Sequence, residues 1–333
     1  MAIKTVSSPD PKYLSSTDIL IGDMSDINYE FLLLDKPLIL LANEWIHNNW
    51  PDIGVKTNIN GLNDAIIESN NNPNKYSSSR KIWLNKTIYQ PYENASLRIL
   101  DKVIKLSKFR NPILVIVDGN SEVRRSNLIS LYNEALSRNM KVIYQNFPKK
   151  INISNEVIYL AVHFEDLIIK SGFNVHLDHG LKGKGAANVQ LSIEDYKKNN
   201  YFPLIDLHIT AGSVGDERTK MQLGPNHHRT WIGGYPKADT INFSNTKTNR
   251  NIVCTELGFN PEFPIITYAS TGPLSDEKPG GSLNPNVLAE LKRISEYNNY
   301  NVLIKLKNSK KSFFKKLNGF VLKKINKLYI KFP

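Results

Sequence analysis

Short apolar runs alternate along this chain with longer segments whose apolar residues recur every three or four positions. The runs predict strands at 19–21, 38–41, 113–117, 141–145, 157–160, 174–177, 206–210, 230–232, 264–268 and 301–306. The longer segments predict helices at 26–34, 61–69, 93–107, 122–138, 163–171 and 286–297. In the first of these helices Ile27, Phe31 and Leu34 share one face. Strand and helix alternate throughout, which is the signature of an α/β protein. The Asn-rich patch Ser69–Ser79 reads as a loop, and Ser244–Asn251 as a polar interdomain linker. The stretch 276–286, with Gly280 and Gly281, reads as a flexible loop beside a cleft. No internal repeat is visible.

Composition narrows the class. A length of 333 residues with 41% hydrophobic content fills two domains of ordinary size. No apolar run reaches the roughly 18–20 residues that span a bilayer, and Met1–Thr5 is too short and too polar for a signal peptide. A single cysteine, Cys254, excludes a disulfide within the chain and a cysteine-rich zinc site. The expected location is the cytoplasm. The net charge of +12 is uneven: from Lys305 onward there are ten lysines and no acidic residue. Positions 314, 317, 321, 325 and 328 there fall on one helical face. Two readings stay open. One is a basic amphipathic helix in peripheral contact with an anionic membrane; the other is a domain helix with a solvated lysine face, followed by a strand at 328–332. No nucleic-acid-binding motif accompanies the charge.

Three stretches carry candidate chemistry. In Asp178-His179-Gly180-Leu181-Lys182-Gly183-Lys184, a histidine at a strand end meets glycines and lysines. An imidazole moves protons near neutral pH, glycines let backbone N–H groups approach an anion, and the lysines supply charge. The second stretch, Ser16 to Leu41, reads strand, tight turn, helix, turn, strand, with Ser25 or Asp26 capping the helix and Pro37 closing the turn. The third is Gly233-Gly234-Tyr235-Pro236-Lys237-Ala238-Asp239, after the strand-like Trp231-Ile232.

Together these stretches resemble the CDP-glycerol glycerophosphotransferase family, the polymerases of teichoic-acid and capsule type. That family has a His-Gly-x-Pro-(Leu)-Lys loop with a catalytic histidine and a Gly-Tyr-Pro-Arg-x-Asp segment. Its Asp-x-Ser-Ser-x-x-(Tyr/Phe)-Glu-Phe-x-x-Leu-x-Lys-Pro segment binds the donor phosphates. Asp23 to Pro37 is the most specific match. The resemblance implies a GT-B-like fold: two Rossmann-like domains facing a cleft. The chain order is permuted, because the donor-phosphate segment, which the family places late, here comes first. Asn94–Asp101 resembles the family's last helix, Phe263–Thr271 the opening strand of the donor domain, and Asn301–Lys307 its next strand. Residues 1–108 and 250–333 are thus expected to be two parts of one donor nucleotide-binding domain, with 109–249 forming the acceptor-side domain.

The resemblance implies a transferase that moves glycerol phosphate, or a similar polyol phosphate, from a CDP-linked donor to a glycan or lipid-linked acceptor, with no cofactor and no metal. His179 is the implied general base; its other reading is a turn histidine bonded to backbone. Asp178 would orient it, and Lys182 and Lys184 read equally as stabilising charge on the pyrophosphate and as solvated loop lysines. Ser25, Asp26 and Glu30 are implied on the donor side, with Thr271, Ser282 and Lys307 as further phosphate contacts. Two departures stand out. Asp26 replaces a small hydroxyl residue, and Lys307 stands where the family has a histidine. Glu30 reads equally as a donor contact and as a half-buried helix carboxylate. His47, His163, His176 and His208 show no metal-ligand spacing, and the adjacent His227 and His228 read as surface residues. The competing expectations are a GT-B glycosyltransferase or nucleotide-sugar 2-epimerase-like enzyme, and a non-catalytic module of a larger capsule-synthesis protein.

Overall fold

A computed structural model gives the fold; it describes residues 3–6, 10–23, 25–42, 44–119, 122–146, 156–162, 172–178, 181, 205–223, 228–269, 285–297 and 299–305. The protein is mixed α/β, with two parallel six-stranded sheets in a Rossmann-like arrangement. The first sheet contains β1 (Ile3–Val6), β2 (Ile19–Gly22), β3 (Leu38–Leu41), β4 (Val55–Thr57), β11 (Ile265–Ala269) and β12 (Asn301–Lys305). Their spatial order is β1-β12-β11-β2-β3-β4. Numbered from β11 and continued through β1, this is 3-2-1-4-5-6, the order of the doubly wound dinucleotide fold. Strands from both ends of the chain therefore share one sheet, with Ile3 beside Val302 and Ile266 beside Ile19.

The second sheet contains β5 (Ile113–Val117), β6 (Lys141–Gln145), β7 (Val157–Ala161), β8 (Phe173–Leu177), β9 (Leu207–Thr210) and β10 (Thr230–Ile232). Its order, β6-β5-β7-β8-β9-β10, follows the flavodoxin-like pattern extended by one strand. The apolar runs are continuous because the central strands are covered on both faces. Leu20 packs in a core with Phe31 and Leu32, while its neighbours Ile19 and Ile21 point the other way, to Leu62, Ile66 and Leu291. The strands expected from the sequence are all present, within a residue or so at their ends. Edge strands β1 and β4 went unforeseen. Each has only three or four residues and no fully buried run, so neither leaves an apolar signal.

The helices depart further. The first expected helix is a short α2 (Ile27–Phe31) followed by a 3-10 turn over Leu32–Leu34. The presumed loop 69–79 is largely helical: α4 (Leu62–Asn71) runs into it and α5 (Ser77–Thr87) begins in it. The expected linker 244–251 is mostly the start of α10 (Lys247–Leu257), whose first turn is capped by Thr246 Oγ1 accepting from Asn249 N–H at 3.1 Å. Polar residues cover the exposed faces of these helices, so polarity alone mimics a loop. Helices α1 (Pro11–Ser15), α3 (Glu44–Asn49), α8 (Ser213–Leu223) and α9 (Pro236–Ser244) were likewise not anticipated, whereas α7 (Glu122–Ser137) and α11 (Pro285–Tyr297) were. The expected helix 163–171 lies outside the described residues, as do the loop through 284 and the lysine-rich end.

Helix α6 (Ala95–Ser107) packs against the second sheet. It was expected with the first sheet, but it buries Ile99, Leu100 and Val103 against Leu114, Ile158 and Leu160 of the second. Its amino end is capped from a distance: Asp239 Oδ1 and Oδ2 accept from Ala95 N–H and Ser96 N–H at 3.0 and 2.9 Å. The aspartate closing the Gly-Tyr-Pro-Lys-x-Asp stretch is thus a helix cap. Asp239→Ala should lower stability by about 1 kcal/mol, and Asp239→Asn by less, measured as the shift in urea midpoint.

The Leu34-Asp35-Lys36-Pro37 turn is also structural. Asp35 is left-handed at φ 47° and accepts from Arg80 Nε at 2.8 Å and Ser77 Oγ at 2.6 Å. Lys36 Nζ donates to the Ser15 and Thr17 carbonyls at 2.8 and 2.7 Å, and burial lowers its pKa.

Candidate functional site

In open α/β sheets the carboxyl ends of the strands are where ligands bind. Here those ends meet. The turn after β2 carries Asp23, Ser25 and Asp26 into α2, and Gly22 at its base pairs with Ala269 at the end of β11. From the second sheet, β8 ends in Asp178 and β10 leads into Gly233–Lys237. Gly234 has φ +98°, a backbone conformation that residues with a side chain rarely adopt, so glycine is favoured here. Pro236 then starts α9 at a position where no N–H is needed.

The contact that joins the two sides is a buried triad. Tyr235 Oη donates to Glu30 Oε1 at 2.7 Å, and Lys237 Nζ to Glu30 Oε2 at 2.7 Å. Glu30 is 6% exposed, Tyr235 2% and Lys237 8%. Burial pushes the Glu30 carboxyl up, but the charge and hydrogen bond of Lys237, the Tyr235 hydroxyl and the charge of Lys305 outweigh it, so its pKa is lowered. Burial raises Tyr235 well above the ordinary phenol value, and the negative charges of Glu30, Asp26 and Asp178 add to this. Of the acidic residues singled out in the sequence, Glu30 bonds Tyr235 directly, and Asp26 and Asp178 act on it through their charge. Both oxygens of Glu30 bond side chains of the opposite half.

Asp178 Oδ2 accepts from Arg218 of α8, and Asp178 N–H donates to Ile209 O at 2.8 Å. Leu181, three residues on, is buried with Tyr29, Leu84 and Tyr235. His179, Lys182, Lys184, Thr271, Ser282 and Lys307 lie outside the described residues. Helix α2 has only five residues. Asp26, at its start, has helical backbone angles and makes no side-chain cap; Ser25 Oγ reaches Ile27 N–H only at 3.5 Å. The helix expected over 26–34 is thus one α-helical turn followed by a 3-10 turn.

Beside the triad lies a small cavity of about 20 Å³. Thr267, Leu303 and Lys305 from β11 and β12, Asp10 and Tyr13 from around α1, and Lys237 line it. Thr267 Oγ1 shares a 2.6 Å hydrogen bond with Thr17 Oγ1. Among the described residues no three His, Cys, Asp or Glu side chains converge as a metal site. No helix among them is long and apolar enough to cross a membrane.

The sequence reading missed one cluster. His176 of β8 and His208 of β9 were read as having no partner at metal-ligand spacing, yet they sit side by side in register, with Nδ1 atoms 2.9 Å apart. Only the β8–β9 pairing brings them together, since 32 residues separate them along the chain. His228 is exposed, as expected. Compared with known proteins, the chain has no match among family models, curated proteins or solved structures.

Proposed function

We propose that this chain is a transferase that moves glycerol phosphate, or a similar polyol phosphate, from a CDP-linked donor to a glycan or lipid-linked acceptor. The observation that carries the reading is the convergence of Asp26 and Glu30 with Asp178, Tyr235 and Lys237 at the facing carboxyl ends of two parallel sheets. These are the stretches that resemble the glycerophosphotransferase family, and they meet although about 150 residues of sequence lie between the first and the next. The 3-2-1-4-5-6 order counted from β11 supports a GT-B-like pair of domains in permuted chain order. In this reading the donor lies between the facing carboxyl ends of the two sheets. His179 takes the proton from the acceptor hydroxyl, the hydroxyl oxygen attacks the β-phosphorus, and the bond to CMP breaks. The lysine-rich end supports peripheral contact with an anionic membrane, where a lipid-linked acceptor would be met.

A second reading, a non-catalytic module, draws support from the engagement of Glu30 by Lys237 and Tyr235 and from Lys307 at the family's histidine position. One experiment separates them. The purified chain is incubated with CDP-glycerol, CDP-ribitol or UDP-sugars and an acceptor glycolipid, and released nucleotide is measured. CMP release from a CDP-polyol supports the proposal. UDP release would point to a glycosyltransferase. Neither release nor calorimetric binding of any donor would establish the second reading.

A further inference from the structure

One buried polar side chain behind the turn after β2 takes no part in the proposed chemistry. Asn28 of α2 is fully buried, at 0% exposure. Its Nδ2 donates to the Asp23 carbonyl. A carbonyl only accepts, so the NH2 end of the amide must face it, which leaves Oδ1 against Gly22. There Oδ1 has no hydrogen-bond partner among the described residues. A buried carbonyl oxygen left unpaired is costly, and an apolar side chain would avoid that cost. Packing therefore does not call for asparagine at this position; the Nδ2–H bond to the turn does. Asp23 O also accepts from Ser25 N–H at 2.9 Å, and Ser25 O accepts from Asn28 N–H at 3.2 Å. Asn28 thus grips both ends of the turn, Asp23 through its side chain and Ser25 through its backbone. Gly22 makes room for this. A Cβ on Gly22 would overlap Asn28 Oδ1 and lie 2.8 Å from its Cγ, so a side chain there drives the amide off the turn.

We infer that Asn28 is a positioning residue: its amide, seated against Gly22, fixes the turn between Asp23 and Ser25 so that Ser25 Oγ meets the phosphates of the donor. The donor part of this rests on the transferase reading above, and the fixing of the turn does not. Ser25 is partly exposed, and the contact from Ile27 N–H to its Oγ is long, at 3.5 Å. A hydroxyl held in one place binds without first being ordered. A turn that wanders offers it for only part of the time, and apparent affinity falls by that fraction. Asn28 touches neither the acceptor hydroxyl nor the bond that breaks, so its effect belongs to donor binding and not to turnover.

The test uses the full chain, labelled with nitrogen-15 on the backbone. Asn28→Ala removes the Nδ2–H donor, and Asn28→Leu removes it while filling the space. In both, Ser25 N–H should exchange with solvent about tenfold faster than in the parent, after correction for the change in global stability read at Leu20 N–H of β2. The KM for CDP-glycerol should rise about tenfold while kcat at saturating donor stays within about twofold. Gly22→Ala should reproduce both changes. Adding Asn28→Ala to it should change little more, because the two substitutions act on one bond. Unchanged Ser25 exchange in a folded Asn28→Ala or Gly22→Ala would overturn the inference, as would a lowered kcat with KM unmoved. Should both Asn28 variants fail to fold, Gly22→Ala decides by the same readings. If the parent binds no CDP-linked donor, the transferase reading fails by itself, and the exchange of Ser25 N–H still decides whether Asn28 sets the turn.

Discussion

Glu30→Ala is expected to destabilise the protein by about 3–5 kcal/mol, the cost of stranding a buried charge. Lys237 Nζ would lose its carboxylate 2.7 Å away, and Tyr235 Oη its acceptor, in a place that water reaches poorly. Glu30→Gln should cost less, because it keeps an acceptor for one of the two donors. The double variant Glu30→Met with Lys237→Met should recover much of the loss, since two apolar chains of similar volume avoid the desolvation of two ions. Urea unfolding of all four proteins at pH 7 measures this, and a loss under 1 kcal/mol for Glu30→Ala would mean that Lys237 finds water. The pH dependence follows from the lowered Glu30 pKa. Its contribution is present above the ordinary carboxylate value, about 4.3, and disappears as pH falls through the lower folded value. Because the triad spans the two halves, its loss should also loosen their contact. Proteolysis between α9 and α10 should then quicken more than cleavage within either sheet.

His179→Ala is expected to reduce transfer by roughly two to four powers of ten while leaving donor affinity almost unchanged. A general base acts on the acceptor hydroxyl in the transition state, so its loss lowers turnover and hardly touches ground-state donor binding. The variant should fold like the parent, since the neighbouring residues are held independently: Asp178 by Arg218 and the Ile209 carbonyl, Leu181 by burial. Donor titration by calorimetry and nucleotide release under saturating donor test the two halves of the expectation. Wild-type turnover would make His179 a turn residue and remove the proposed mechanism. A large fall in donor affinity would instead put it on the donor side.

Much of the architecture was legible because burial on both sheet faces demands apolar runs at Ile19–Ile21, Ile113–Val117 and Val157–Leu160, and helices such as α6 and α11 carry an apolar stripe. Helices α5, α8 and α10 escaped because polar residues dominate them. A helix whose buried face needs only a few contacts, such as Arg80, Leu84 and Thr87 in α5, reads as a polar stretch. The candidate site was legible in part. Asp26, Glu30 and Asp178 stood out as residue types in unusual strings, but their common action on Tyr235 did not.

The sequence by itself determined the alternation of strand and helix and the residues that carry charge and protons, since these depend on local periodicity and side-chain chemistry. Only the tertiary structure decided the partners. Glu30 meets Lys237 across 207 residues, His176 meets His208 across 32, and Asp239 caps α6 across 144. Such pairs are set by strand order and register, which no local pattern encodes. A carboxylate reads the same in sequence whether it faces solvent or, like Glu30, a buried lysine.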